Sequence, residues 1–210
     1  MNKQFWQDRW TNNQIAFHNA EANPLLVRHF NALKRRTDSS VFVPLCGKSQ
    51  DLRWLAEQGC RVIGAELSRI AVEQFFEELG AEPRMTSVGC LRLYEAQAIS
   101  IYQGSVFDLT PEMLGTVDFV YDRAALVALP KEMRDLYVPH LVNLTSSAQQ
   151  LLISYEYDQT CDDGPPFSVT EHELRRLYEG IFDIRLLERQ EVKGGLKGKC
   201  PAVEAVWNLR

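Results

Sequence analysis

Residues 41–49 read VFVPLCGKS, a short apolar run that ends in a glycine-containing turn. The run favours a buried β-strand. Ser49 is a typical amino-terminal cap for a helix that would bury Leu52 and Leu55. Glycine allows a ligand to approach the backbone closely, and the start of a helix presents free N–H groups. The same turn is also compatible with an ordinary strand-to-helix connection that binds nothing.

Strands and helices continue to alternate as far as residue 157. Further strands are predicted over residues 61–65, 99–102, 117–121 and 150–157, with helices among the segments that join them, whereas residues 81–97 show no clear pattern. Parallel strands joined by right-handed helical crossovers form an open α/β sheet with helices on both faces. Residues 182–187 and 203–209 alternate in hydrophobicity, which predicts an antiparallel hairpin at the carboxyl-terminal edge.

The composition is that of a globular protein, with 45% hydrophobic and 24% charged residues in a chain of 210. We expect one domain, with residues 1–40 as a helical and aromatic extension and residues 41–210 as the sheet core. The net charge of −5 argues against general nucleic-acid binding. Without a long apolar run or a signal-peptide pattern, we expect a cytoplasmic protein that does not bind membranes, and a monomer.

The five cysteines are widely scattered, which predicts reduced thiols rather than a disulfide framework or a metal site. Cys46 stands beside the glycine of the first turn, so a nucleophilic thiol there is an alternative interpretation.

Ligands of open α/β sheets bind beyond the carboxyl ends of the strands. The second predicted strand ends at Glu66, 19 residues after Gly47, and a carboxylate at that place can accept hydrogen bonds from both ribose hydroxyls. The turn at Gly47 has neither G-x-G-x-x-G nor P-loop spacing, so the pair predicts an adenosine-type ligand without a tightly held diphosphate. A solvated glutamate is the alternative.

Two further strand ends carry candidate binding residues. Residues 104–108 (GSVFD) either present backbone groups and an apolar face to a flat base or form an ordinary loop. Asp122 and Arg123 place two charges at the end of a buried strand, where charges need partners. Either they form a structural ion pair, or Arg123 faces the pocket and meets an anionic or carbonyl-bearing ligand.

Four aromatic residues mark the amino-terminal extension: Phe5, Trp6, Trp10 and Phe17. They either pack the extension onto the body or form a lid, in which their π-faces would suit a cation and a flat substrate. The four histidines are isolated in sequence and indicate no catalytic triad.

Several strings are long enough to indicate a family. They are FWQ at 5–7 with Trp10, AFH at 16–18, FVPLCGKS at 42–49, V-x-G-x-E-x-S at 62–68, DRAALV at 122–127 and GPPF at 164–167. Together they resemble the thiopurine S-methyltransferases over the chain to about residue 187. The short amino-terminal arm and acidic composition resemble the bacterial branch of that family.

The resemblance implies a Rossmann-like class I methyltransferase fold, with a mostly parallel seven-stranded sheet whose last strand is antiparallel. It also implies S-adenosylmethionine as the cofactor, with no metal. The residues that it places at the cofactor are Trp10, Leu45, Glu66, Ser105, Val106 and Arg123. It places Phe17 on the substrate side, and Arg123 is our candidate for orienting the acceptor. The basic loop 193–199 departs from the animal members, so no substrate contact is transferred to it.

The expected reaction is methyl transfer to the sulfur of thiopurines and related aromatic or heterocyclic thiols, with selenium and tellurium compounds as further small-molecule acceptors. Such sulfur atoms are already acidic or nucleophilic, so we expect catalysis by positioning rather than by a strong base. One alternative is a non-catalytic module that binds an adenosine ligand. The other is an NAD-dependent oxidoreductase, which would need a diphosphate cradle that residues 46–48 do not provide.

Overall fold

The computed structural model of the chain describes residues 3–15, 19–33, 38–123 and 125–210. Its strands are β1 (Ser40–Pro44), β2 (Arg61–Glu66), β3 (Arg84–Val88), β4 (Leu91–Ala96), β5 (Ile99–Gln103), β6 (Phe119–Asp122), β7 (Gln149–Tyr157), β8 (Ile184–Glu191) and β9 (Ala202–Leu209). Its α-helices are α1 (Lys3–Thr11), α2 (Pro24–His29), α3 (Gln50–Glu57), α4 (Arg69–Leu79), α5 (Pro111–Leu114), α6 (Ala125–Ala128), α7 (Lys131–Leu144) and α8 (Glu171–Tyr178). Short 3₁₀ segments cover Phe30–Ala32, Val106–Asp108 and Gln159–Cys161.

All of these strands belong to one sheet, in the order β3-β4-β5-β2-β1-β6-β7-β9-β8. The five central strands, from β5 to β7, are parallel to one another. The carboxyl-terminal hairpin is antiparallel, since β9 runs against both β7 and β8. The predicted α/β class and terminal hairpin are therefore confirmed.

The sheet has nine strands rather than the seven that the family resemblance implies. The two extra strands, β3 and β4, form a second antiparallel hairpin that pairs with β5. They come from residues 81–97, which showed no clear pattern. Most residues of β3 are exposed or half-buried, so its sequence, RMTSV, lacks the alternation that identifies a strand with one buried face.

Two apolar clusters fill the two faces of the sheet. Phe42 of β1 packs in the cluster beneath α6, α7 and α8, whereas Val41 and Val43 pack in the cluster beneath α2, α3 and α4. Successive side chains of a strand point to opposite faces, so this division confirms the prediction of helices on both faces. Among the described residues, no helix combines the length and the apolarity needed to cross a membrane.

The helix start predicted at Ser49 is also confirmed, and three further helices begin in the same way. The side chains of Asn23, Ser49, Ser68 and Thr170 each accept a hydrogen bond from a backbone N–H in the first turn of the following helix. These caps satisfy N–H groups that have no partner within the helix, and they fix where α3 and α4 leave the ends of β1 and β2.

Candidate active site

A cavity of about 570 Å³ lies beyond the carboxyl ends of β1, β2, β6 and β7. A smaller pocket of about 70 Å³ shares Leu45, Glu66 and Leu67 with it and reaches the loop after β5. Both lie where open α/β sheets bind ligands. Because they share three lining residues, they form one elongated site with Glu66 between its two parts.

Glu66 is the last residue of β2, and its side chain is fixed by backbone amides. Its Oε2 accepts from the Gly47 N–H at 2.8 Å, and its Oε1 accepts from the Ser68 N–H at 2.6 Å. Burial raises the pKa of the Glu66 carboxyl, while the hydrogen bonds from Ser68 and Gly47 oppose the rise. With 7% of its surface exposed, Glu66 is not the solvated glutamate of the alternative interpretation. Each oxygen keeps a second lone pair, so the group suits two further donors.

The turn after β1 has an unusual backbone. Leu45 has φ +48° and Gly47 has φ +55°, both in the left-handed region. For a leucine that conformation costs about 1–2 kcal/mol, and such strain concentrates at binding and catalytic sites. Leu45 lines both the cavity and the smaller pocket. The structure therefore places this predicted cofactor residue at the junction of the two parts.

Cys46 lies within this turn and is buried. Burial raises the pKa of its thiol well above the ordinary value, and the charge of Glu66 raises it further. A nucleophilic cysteine needs a lowered pKa, so the structure argues against that interpretation.

Helix α1 forms the opposite wall of the site. Trp6, Arg9 and Trp10 line the cavity, and Lys3 lines the smaller pocket. Trp10 is only 5% exposed, and it lies so close to Gly47 that a Cβ there would be 3.2 Å from its Cζ2 atom. Phe17, the predicted substrate-side residue, falls outside the described residues.

The smaller pocket is bounded by the loop after β5. Ser105 and Val106 line it together with Phe107 and Met133, which gives a narrow site with apolar walls. The Gly104 N–H donates to the Glu66 carbonyl at 2.8 Å, which ties the loop to the end of β2. The apolar walls of the pocket suit the face of a flat base.

In the part of the chain that the structure describes, no ion pair joins Asp122 to Arg123, so the structure does not support that one of the two interpretations of these charges. Asp122 is buried, and its Oδ1 accepts from the N–H groups of Ala125 and Leu126, both at 3.1 Å. Its Oδ2 accepts from the Tyr137 hydroxyl at 2.8 Å. Burial raises the pKa of Asp122 to about 6, against the effect of these hydrogen bonds. Asp122 is thus the cap of α6, which leaves Arg123 for the cavity.

Arg123 lines the cavity and is surrounded by polar side chains. The Tyr155 phenol and the Glu204 carboxylate line the same cavity and act on the charge of Arg123. Tyr155 and Glu204 face each other across the β7–β9 pairing. Burial lowers the pKa of the guanidinium, but the neighbouring phenols and carboxylates outweigh burial, so its pKa lies above the ordinary value.

A second pair supports the same wall. The Tyr121 hydroxyl donates to Asp51 Oδ2 at 2.9 Å, and Asp51 Oδ1 accepts from the Asn23 N–H at 2.6 Å. Among the lining residues that the sequence reasoning missed are Asp51, Tyr121, Tyr155 and Glu204. Tyr121 and Tyr155 stand near the ends of predicted strands, so the strand-end rule that selected Glu66 could have selected them.

The basic loop 193–199 closes the cavity beside Pro165 and Pro166. The Nζ of Lys197 lies 2.8 Å from Asp162 Oδ1 and donates to the Pro165 carbonyl at 3.0 Å. The Nζ of Lys199 lies 2.5 Å from Asp162 Oδ2. These hydrogen bonds hold the pKa of Asp162 well below its ordinary value. We call these three charged residues the lysine clamp.

Comparisons with known proteins agree with this geometry. The sequence model of the Thiopurine S-methyltransferase (TPMT) family matches residues 1–206. The chain is 50% identical over 208 residues to a thiopurine S-methyltransferase of Gluconobacter oxydans, covering 99% of this chain and 94% of the relative. It is 52% identical over 210 residues to one of Xanthobacter autotrophicus, covering 100% and 99%.

Among solved structures, the magnesium protoporphyrin IX methyltransferase of Synechocystis, with S-adenosylhomocysteine bound, superposes with a TM-score of 0.66. The alignment covers both chains completely at 14% sequence identity. At that identity the likeness shows the fold alone, which is that of the class I methyltransferases.

Proposed function

Because the chain belongs to the thiopurine S-methyltransferase family, we propose that it transfers a methyl group from S-adenosylmethionine to the sulfur of thiopurines and related aromatic or heterocyclic thiols. The observation that carries this proposal is the Glu66 carboxylate, fixed by two backbone amides between an apolar pocket and a larger cavity. Selenium and tellurium compounds are further acceptors that we include.

The residues of the smaller pocket and its junction fit an adenosine group. Glu66 would accept from the two ribose hydroxyls, with its free lone pairs already aimed by the amides of Gly47 and Ser68. Ser105 and Val106 would contact the base, and Leu45 and Trp10 would contact the middle of the cofactor. When bound there, the cofactor supplies an activated methyl group on a positively charged sulfur.

The chain contributes positioning and exclusion of water. Helix α1 covers one side of the cavity, which supports the lid interpretation of the amino-terminal extension. Arg123 would orient the acceptor, and Tyr155 and Glu204 would hold the guanidinium in place. Aligning two reactants in a closed site can supply much of the rate enhancement without a strong base.

The NAD-dependent oxidoreductase is disfavoured by the turn after β1. Gly47 donates its N–H to Glu66, and the indole of Trp10 lies against the same residue. That turn therefore offers no open row of amides for a diphosphate. The non-catalytic module is separated from the enzyme by turnover alone.

The test is an acceptor screen with labelled S-adenosylmethionine, covering aromatic thiols, thiopurines and chalcogen oxyanions. We expect label transfer to sulfur acceptors, and a turnover that falls far more than stability in the Arg123→Ala variant. Calorimetric titration should show S-adenosylhomocysteine binding, weakened at least tenfold in Glu66→Gln, and no NAD binding. Cofactor binding without transfer to any acceptor would support the non-catalytic module instead.

A further inference from the structure

Four cationic side chains line the larger cavity: Arg9, Lys48, Arg123 and Lys197. Three of them already have polar partners. The Nζ of Lys48 lies 2.6 Å from Glu78, and Lys197 belongs to the lysine clamp. Arg123 faces the Tyr155 hydroxyl. These three charges are therefore largely satisfied within the protein.

Arg9 differs from the other three. Within the described ranges, its Nε is a buried atom without a hydrogen-bond partner. The guanidinium carbon lies 4.5 Å from the centre of the Phe5 ring, which holds the planar group by a cation–π contact but uses none of its N–H donors. The Nε has no surface open to the cavity, so a ligand would meet the terminal Nη1 and Nη2 atoms of the guanidinium, which themselves form a planar fork of donors.

The position of Arg9 indicates which part of a ligand it would meet. Ser105 and Val106 line only the smaller pocket, and Arg9 lines only the larger cavity, whereas Glu66 lines both. Arg9 also neighbours Trp10, which lies against Gly47. With a base in the smaller pocket and a ribose at Glu66, the substituent on the ribose would extend toward Arg9.

We propose that Arg9 binds the carboxylate of the amino-acid end of S-adenosylmethionine. This inference rests on the proposed function and adds a binding residue to it. The planar fork of a guanidinium matches a carboxylate with two parallel hydrogen bonds. Arg9 supplies that fork from helix α1, so the helix carries both a wall of the site and a charged contact to the cofactor.

The test compares two nucleosides that differ in one group. S-adenosylhomocysteine carries the amino-acid end, and 5′-methylthioadenosine has the same nucleoside and thioether without it. In calorimetric titrations of the full chain, Arg9→Ala should raise the Kd for S-adenosylhomocysteine at least tenfold. The Kd for 5′-methylthioadenosine should stay within twofold of the wild-type value. Arg9→Lys should restore part of the loss, because it returns the charge without the fork.

The matched control is Arg69→Ala, which removes an arginine that is 62% exposed and paired with Glu73 on α4. It should change neither affinity. If Arg9→Ala weakens the binding of both nucleosides equally, Arg9 only lines the cavity and the proposal is overturned. The proposal is also overturned if the variant binds both nucleosides with wild-type affinity. If the wild-type chain binds neither nucleoside, the proposed function fails first. If the wild-type chain binds both nucleosides and transfers methyl groups, and Arg9→Ala has unchanged affinity for both, the proposed function stands and only the role of Arg9 is contradicted.

Discussion

The indole of Trp10 lies directly against the backbone of Gly47, where a Cβ would come within 3.2 Å of Cζ2. The N–H of the same glycine donates to Glu66. Gly47, which has no side chain, therefore contacts both helix α1 and the Glu66 carboxylate at the centre of the site.

Gly47→Ala should weaken cofactor binding. The substitution strains a backbone at φ +55° and pushes the indole away from the turn. We expect a loss of about 1 kcal/mol in binding S-adenosylhomocysteine, roughly fivefold in Kd, measured by calorimetry. Gly80→Ala is the control, because Gly80 has φ +68° and no atom within 4 Å of its added Cβ. Gly80→Ala should lower the free energy of unfolding without changing Kd. If both variants raise Kd to the same extent, the role of the Trp10 contact is contradicted.

Tyr155→Phe should lower turnover with little change in cofactor affinity. The Tyr155 phenol is a close electrostatic neighbour of Arg123 and lies opposite Glu204 of β9, so loss of its hydroxyl leaves the guanidinium less well oriented toward the acceptor. We expect kcat/KM for the acceptor to fall roughly tenfold, equivalent to about 1.4 kcal/mol.

The control for this change is Tyr94→Phe. Among the described residues, the Tyr94 hydroxyl is a buried group without a hydrogen-bond partner, and Tyr94 belongs to β4, which lines neither pocket. Removing it should leave kinetics unchanged and the free energy of unfolding the same or higher. Full activity in Tyr155→Phe would show that Arg123 needs no support from β7.

Asp162→Ala should open the loop 193–199. The two ion pairs of the lysine clamp are lost together, and Lys197 then carries an unpaired charge at the cavity wall. We expect a higher KM for the acceptor and faster tryptic cleavage after Lys197 and Lys199. Asp163→Ala, one residue further at an exposed position, should alter neither. Unchanged cleavage in Asp162→Ala would mean that backbone contacts alone hold the loop.

Asp122→Asn should remove a component of the pH dependence of stability. Burial raises the pKa of Asp122 from 3.8 to about 6. Between these values the native state binds a proton that the unfolded state has released, so the free energy of unfolding falls as pH rises through the interval. The full effect is about 3 kcal/mol. Between pH 4 and pH 7 the free energy of unfolding of wild type, measured in urea, should fall by about 2 kcal/mol relative to that of the variant, because the groups that the two proteins share cancel in this comparison. Equal pH dependence of the two proteins would contradict it.

The sequence predicted best those features that have a local signal. Hydrophobic periodicity and capping residues, both read within a few positions, predict the strand–helix alternation and the carboxylate at the end of β2. The same local signals mark the caps at Ser49 and Ser68. The different surroundings of Asp122 and Arg123 could also have been predicted, because successive side chains of a strand point to opposite faces. An ion pair between those two was therefore unfavourable from the start.

Other features depend on long-range pairing and could not be predicted in this way. Tyr155 and Glu204 meet only because β9 pairs with β7 in a particular register, which no local pattern specifies. The hairpin of β3 and β4 was missed because β3 has no buried residue and β4 buries only Leu91 and Tyr94, three positions apart, so neither strand shows the period-two alternation of a half-buried strand.

The two ends of the described chain lie near opposite ends of the parallel strands. Lys3 lines the smaller pocket, whereas Leu209 pairs with Gln150 at the start of β7, away from the cavity. A purification tag or fluorophore joined ahead of residue 3 would stand at the mouth of the nucleoside pocket and compete with its occupant. The same label attached after Arg210 would leave that mouth clear, so binding and rate measurements belong on carboxyl-terminally labelled protein.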